Sequence, residues 1–132
     1  MDAPFIYIAT YPITPGHADG AVEHATQVAR TVEEQEPRML GFYFFVDDAR
    51  RNAIVVQVHP DPDSMVTHMH AIAEHLAAAG EHLDLARATT FALGTPPRQV
   101  TDYWADYEDG IRIFPEAIAA VTRTGRSEEV PG

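Results

Sequence analysis

The sequence predicts an α+β domain in which a four-stranded antiparallel sheet carries two helices on one face. Two observations lead there. Hydrophobic periodicity alternates between strand-like and helix-like in the order strand, helix, strand, strand, helix, strand. The 132 residues, 45% of them hydrophobic, suit one compact domain around one core.

Phe5 to Tyr11 is rich in aromatic and β-branched residues and stops at Pro12. It reads as a first strand with Phe5, Tyr7, Ala9 and Tyr11 on one face. In Thr14-Pro15-Gly16 the threonine can accept from free helix amides and Pro15 suits a first helical position, so a helix is expected to start here. Ala18, Val22, Ala25, Ala29 and Val32 form its apolar stripe, and Pro37 ends it. Leu40 to Val46 and Ala53 to Val58 read as a hairpin around a polar turn, Asp47 to Asn52. In His59-Pro60-Asp61-Pro62-Asp63-Ser64, Asp63 or Ser64 can cap a second helix running to about Ala79. Its inward residues are Met65, Met69, Ile72 and Leu76, and Gly80 suits its end. Leu85 to Leu93 reads as a fourth strand ending at Gly94.

This order is the split βαβ, ferredoxin-like arrangement. Beyond it, Thr95-Pro96-Pro97 punctuates the chain. A third helix is expected from about Arg98 to Tyr107, with Val100, Tyr103, Trp104 and Tyr107 on one side and Gly110 closing it, and Ile111 to Phe114 suits a short extra strand. Residues 115–123 fit helix or loop, and 124–132 read as a frayed tail. The expected divisions are 1–95 for the main domain, 96–123 for a C-terminal extension on the same domain or its partner, and 124–132 for the tail. Strands two and three are apolar on both faces, so the face without helices needs a second layer or a second subunit.

Twenty Asp and Glu against nine Arg and no Lys leave a net charge of −11. Such a balance repels phosphate backbones, and no basic cluster exists to release counterions, so no nucleic-acid role is expected. No run approaches the roughly 18 apolar residues of a membrane span, and Met1-Asp2-Ala3-Pro4 lacks the basic start of a signal peptide. The expected location is the cytoplasm. Without Cys there is no disulfide, thiolate nucleophile or iron–sulfur site, and a metal would need His and carboxylate alone.

Seven His is a high count, and five lie between His59 and His82. His68, His75 and His82 are seven apart, about 10.5 Å per step along a helix. No two His have the i, i+4 spacing of helical zinc pairs, so no metal site is expected. His70 falls on the solvent side of the second helix. His68 and His75 fall at the edge of its core stripe, where a side chain can wall a pocket. Imidazole populates both protonation states near neutral pH, which makes these two candidate proton carriers; the plain alternative is a half-exposed His bonded to water or backbone. His17 and His24 fall more than about 90° from the first helix's stripe, which points them to solvent. Tyr7, Tyr11, Tyr43, Phe42, Phe44, Gln57 and His59 offer the apolar walls and few polar tips of a small-molecule pocket. Ser64 stands in a capping context without the glycines of a nucleophile elbow, and no Gly-rich phosphate loop is present.

The order of elements, with Ile13-Thr14-Pro15-Gly16 opening the first helix and His59-Pro60-Asp61-Pro62-Asp63-Ser64-Met65 the second, resembles the antibiotic biosynthesis monooxygenase-like family of the dimeric α/β-barrel superfamily. The resemblance covers about residues 4 to 95. It implies that two sheets face each other across a homodimer, and that the pocket lies between helices and sheet. Some relatives oxidise polycyclic phenols to quinones with O₂ and no cofactor, and others degrade haem. Haem-degrading relatives carry an Asn on the first strand, a Trp on the second helix and a haem-binding His near that helix's end. Here Ala9 stands at the Asn position, the second helix has no Trp, and only His75 matches, which argues against haem degradation.

The reading is a cofactor-independent monooxygenase acting on an aromatic or polyketide-like molecule. His68, His75 and Tyr7 are its candidate catalytic residues; Tyr11, Phe42, Phe44, Tyr43, Gln57 and His59 are its candidate substrate contacts. The alternative is a noncatalytic binding or sensing module on the same fold, since function resides in the site.

Overall fold

The computed structural model describes residues 3–104 and 111–123. Its strands are β1 (Phe5–Pro12), β2 (Gly41–Val46), β3 (Asn52–His59), β4 (Thr89–Leu93) and β5 (Ile111–Phe114); its helices are α1 (Ala18–Gln35), α2 (Pro62–Ala71), α3 (Ala73–His82) and α4 (Arg98–Trp104). The sheet runs β2-β3-β1-β4-β5. Each neighbouring pair among its first four strands is antiparallel, which is the expected ferredoxin-like sheet, and β5 adds parallel to β4.

Alternation along β1 sends Phe5, Tyr7, Ala9 and Tyr11 toward the helices, and all four are buried. Register places Gln57 of β3 opposite Tyr7, and Phe42 of β2 opposite Gln57, so these side chains form a row across the helix-covered face. The opposite face carries Ile6, Ile8, Ile54, Val56 and Val58, with Tyr43 and Phe45 stacked at 6.5 Å between ring centroids. No described element covers it, and Tyr43 is 49% and Phe45 58% exposed.

Several local expectations are corrected. Thr14-Pro15-Gly16-His17 is a turn before the helix: the His17 amide donates to the Thr14 carbonyl at 2.9 Å, and Gly16 has φ +82°. Proline followed by a glycine of positive φ is the pattern of a type II turn, and α1 begins only at Ala18. The buried face of α1 is Ala21, Ala25, Val28 and Val32, whereas Val22 is 40% exposed. That stripe is rotated by about 50° from the expected one, toward His17 and His24. Asp61, rather than Asp63 or Ser64, caps α2 by accepting from the Ser64 amide at 3.0 Å, with Pro62 in the first turn. The second helix breaks at Ile72, so α2 and α3 are separate, and α3 passes through Gly80 to His82. Residues Leu85–Arg87 form a single 3-10 turn, and β4 starts only at Thr89.

In the extension, α4 lies against α2 and its Val100 is fully buried. The expected strand at Ile111–Phe114 is β5, and residues 115–123 are irregular and exposed. The rest of the expected third helix, Tyr107 and Gly110 included, and the expected tail lie outside the described residues, as do the side chains of Tyr103 and Trp104.

Candidate functional site

A cavity of about 120 Å³ lies between the helices and the sheet. Tyr7, Tyr11, Phe42, Phe44, Val55 and Gln57 form its floor. The helices close it with His24 and Val28 from α1, Met65, His68 and Met69 from α2, and His75 and Leu76 from α3. Its size is that of a single aromatic ring, comparable with an apolar cavity of about 150 Å³ that holds benzene.

Two buried polar groups meet at its wall. Glu36, the residue that ends α1 just before Pro37, turns its carboxylate inward and accepts from His68 Nδ1 at 2.8 Å. The two side chains are only 2% and 1% exposed. The other imidazole nitrogen, His68 Nε2, is buried with no partner among the described residues, and so is Glu36 Oε1. A carboxylate on Nδ1 fixes the ring's tautomer and leaves Nε2 as the acceptor, the arrangement of a general base held by an orienting acid.

Behind the floor, His59 is fully buried, with Nε2 3.0 Å from Gln57 Oε1 and Nδ1 2.8 Å from Ser64 Oγ. Burial, reinforced by the nearby His68, lowers its pKa to about 4. At the floor itself the Tyr7 and Tyr11 hydroxyls stand 3.3 Å apart.

A second histidine group joins α1 to α3. His17 Nδ1 is 3.1 Å from His82 Nδ1, and His24 sits edge-on to His75 with ring centroids 5.9 Å apart. His75 Nε2 is also 3.1 Å from Thr31 Oγ1. Burial and then the neighbouring His75 and His82 lower the His24 pKa, against a raising effect from Glu81. No group of three or more His, Asp or Glu among the described residues is arranged to hold a metal ion. No described helix is long and apolar enough to cross a membrane.

Of the residues singled out in the sequence, the cavity brings together Tyr7, Tyr11, Phe42, Phe44, Gln57, His68 and His75. His59 stands behind Gln57 rather than in the lining, and Tyr43 lies on the uncovered sheet face. His70 is exposed, as expected. The sequence pattern passes over Glu36 and points His17 and His24 to solvent, whereas His24 lines the cavity and His17 is partly buried against His82. The signal for Glu36 was present: it continues the spacing Ala25, Ala29, Val32 by four more residues, placing a carboxylate on an apolar stripe.

The chain has the antibiotic biosynthesis monooxygenase-like fold: an α+β sheet with its helices on one face and a cavity between the two layers. Among solved structures it is similar to MupZ from Pseudomonas fluorescens, with a TM-score of 0.69 and 15% identity over 93% of this chain and 97% of that one. A structure named antibiotic biosynthesis monooxygenase matches with a TM-score of 0.58 and 19% identity, over 70% of this chain and 99% of that one. PA3566 from Pseudomonas aeruginosa gives 0.59 and 17%, over 74% and 98%. No family model matches the sequence, and no curated protein matches it.

Proposed function

We propose that this protein is a cofactor-independent monooxygenase of the antibiotic biosynthesis monooxygenase type, acting as a cytoplasmic homodimer on an aromatic or polyketide-like small molecule. The observation that carries the reading is the buried Glu36–His68 pair at the wall of a ring-sized apolar cavity. His68 Nε2 takes the phenolic proton, and Glu36 holds the ring and stabilises the imidazolium that forms. Tyr7 and Tyr11 orient the substrate, Phe42 and Phe44 flank it, and His75 is a second proton carrier at the mouth.

Deprotonation is the step the protein must supply, because a phenolate gives an electron to O₂ far more readily than a phenol. The radical pair joins as a carbon-bound hydroperoxide, and loss of water leaves a new carbonyl. One oxygen atom ends in the product and the other in water. The substrate supplies all the electrons, so no reductant is needed. A largely apolar lining keeps water from the intermediates.

Oxygen uptake with a panel of anthrone-like and naphthol-like phenols tests the reading. His68→Gln is expected to lower kcat at least about a hundredfold, and Glu36→Gln about tenfold, with KM little changed. Full activity in His68→Gln, or no turnover anywhere in the panel, overturns it. Saturable binding of the same phenols without oxygen uptake would instead favour the noncatalytic module, for which the apolar lining also speaks.

A further inference from the structure

With the Gln57 amide oxygen facing His59, the protons of the hydrogen-bonded row Ser64, His59 and Gln57 fit in one arrangement. The amide oxygen of Gln57 can only accept, so His59 Nε2 must carry the proton of their 3.0 Å hydrogen bond. His59 is neutral at pH 7, because burial and His68 hold its pKa down to about 4. Its Nδ1 is therefore bare and accepts from the Ser64 hydroxyl at 2.8 Å. Ser64 is itself held at the first turn of α2 by the cap to Asp61. With the amide oxygen so turned, every hydrogen bond of the row runs toward Gln57. What remains to Gln57, which lines the cavity, is the amide nitrogen as a donor.

The cavity is thus lined both by this donor and by His68, whose Nε2 has no partner among the described residues. No arginine stands among the described residues that line it, and the Glu36 carboxylate lies behind His68. A ligand that arrives negatively charged meets no permanent cation there, only the imidazoles of His24, His68 and His75. A neutral ligand that loses its proton inside is served by a donor whose hydrogen bond strengthens as charge gathers on the oxygen.

We infer that Gln57 is the oxygen-recognising donor of this cavity, that His59 backed by Ser64 is the positioning residue that fixes it, and that the site selects uncharged hydroxyarenes over carboxylates and phosphate esters. This rests on reading the cavity as the substrate site, and it holds whether or not oxygen is consumed there.

Three ligands of matched size separate the contributions: phenol, toluene and benzoate, titrated by NMR into the wild-type protein and variants. The expected result is saturable binding of phenol and toluene, with benzoate at least about tenfold weaker than phenol. In Gln57→Leu and Gln57→Met the ratio of phenol to toluene affinity is expected to fall about tenfold while toluene binding holds within about twofold. His59→Phe is expected to lower the ratio by a smaller factor, because the donor remains but is no longer fixed. A merely structural role would move both ligands together. The inference is overturned if both Gln57 variants keep the wild-type ratio, or if benzoate binds as tightly as phenol. If the Gln57-dependent ratio is seen while no phenol in the oxygen panel is consumed, the oxygenase reading fails and this inference stands.

Discussion

His59 shows how one side chain can couple the site to the conditions around it. In the unfolded chain an imidazole titrates near 6.5, whereas burial in the native protein holds this one at about 4. Between those values the unfolded state binds a proton that the native state refuses, so stability is complete above about pH 6.5 and declines as the pH falls toward 4. The full loss from this residue is about 3 kcal/mol, and the lowered pKa of His24 acts in the same direction. Urea unfolding at pH 7.5 and pH 4.5 should show the drop, and His59→Phe should flatten the profile. A wild-type stability independent of pH across that window would contradict the buried, neutral state of His59. At this scale the sequence is legible in part: period-two alternation puts Tyr7 and Tyr11 on one face of β1 and Gln57 and His59 on one face of β3, and the strand register then makes the two faces one. The inward turn of Glu36 depends on how α1 ends, and the 2.8 Å pairing of Glu36 with His68 joins residues 32 positions apart, which no local pattern encodes.

Elements were easiest to read where their boundaries have a local cause. Pro12 and Pro37 lie at the ends of β1 and α1, and the polar turn from Asp47 to Asn52 sets the hairpin, where Asp47 Oδ1 accepts from the Arg51 and Asn52 amides at 2.8 and 3.1 Å. The break at Ile72 has no such marker, since neither proline nor glycine stands there. Thr14-Pro15-Gly16 misleads in another way, because proline suits both the first position of a helix and the second of a type II turn, and only Gly16, with φ +82°, marks the turn. At the end of β4, Gly94 has φ +120°, and a Cβ there would stand 2.8 Å from Phe5 Cδ1. Gly94→Ala therefore faces both backbone strain and a collision at the start of β1. It is expected to lower stability by more than about 1 kcal/mol, read as a fall in Tm of several degrees. An unchanged Tm would mean that this junction of β1 and β4 is not tightly packed.

For the whole molecule the uncovered sheet face is the surface that the proposed homodimer would use. The proposed homodimer buries Ile8, Val56, Tyr43 and Phe45 of each chain against the same residues of a second copy. This gives the two-sided apolar strands seen in the sequence a partner for both faces. Light scattering at micromolar concentration should give twice the chain mass. Val56→Asp, which sets a charge in the centre of that face, should shift the protein to the monomer while leaving the cavity on the other side intact. A wild-type protein that is monomeric at that concentration would remove the dimer from the proposed function.

The fifth strand has a meaning of its own. Without it β4 would be the margin of the sheet, a row of backbone donors and acceptors open to any extended chain that drifted by. In β5 those groups are matched by Ile111, Arg112, Ile113 and Phe114, and the new margin is four residues long with a charged side chain in it. The C-terminal segment thus works as a hem: it moves the exposed selvage from a five-residue strand without a charge to a shorter one that carries a guanidinium, a poorer template for unwanted fibre growth.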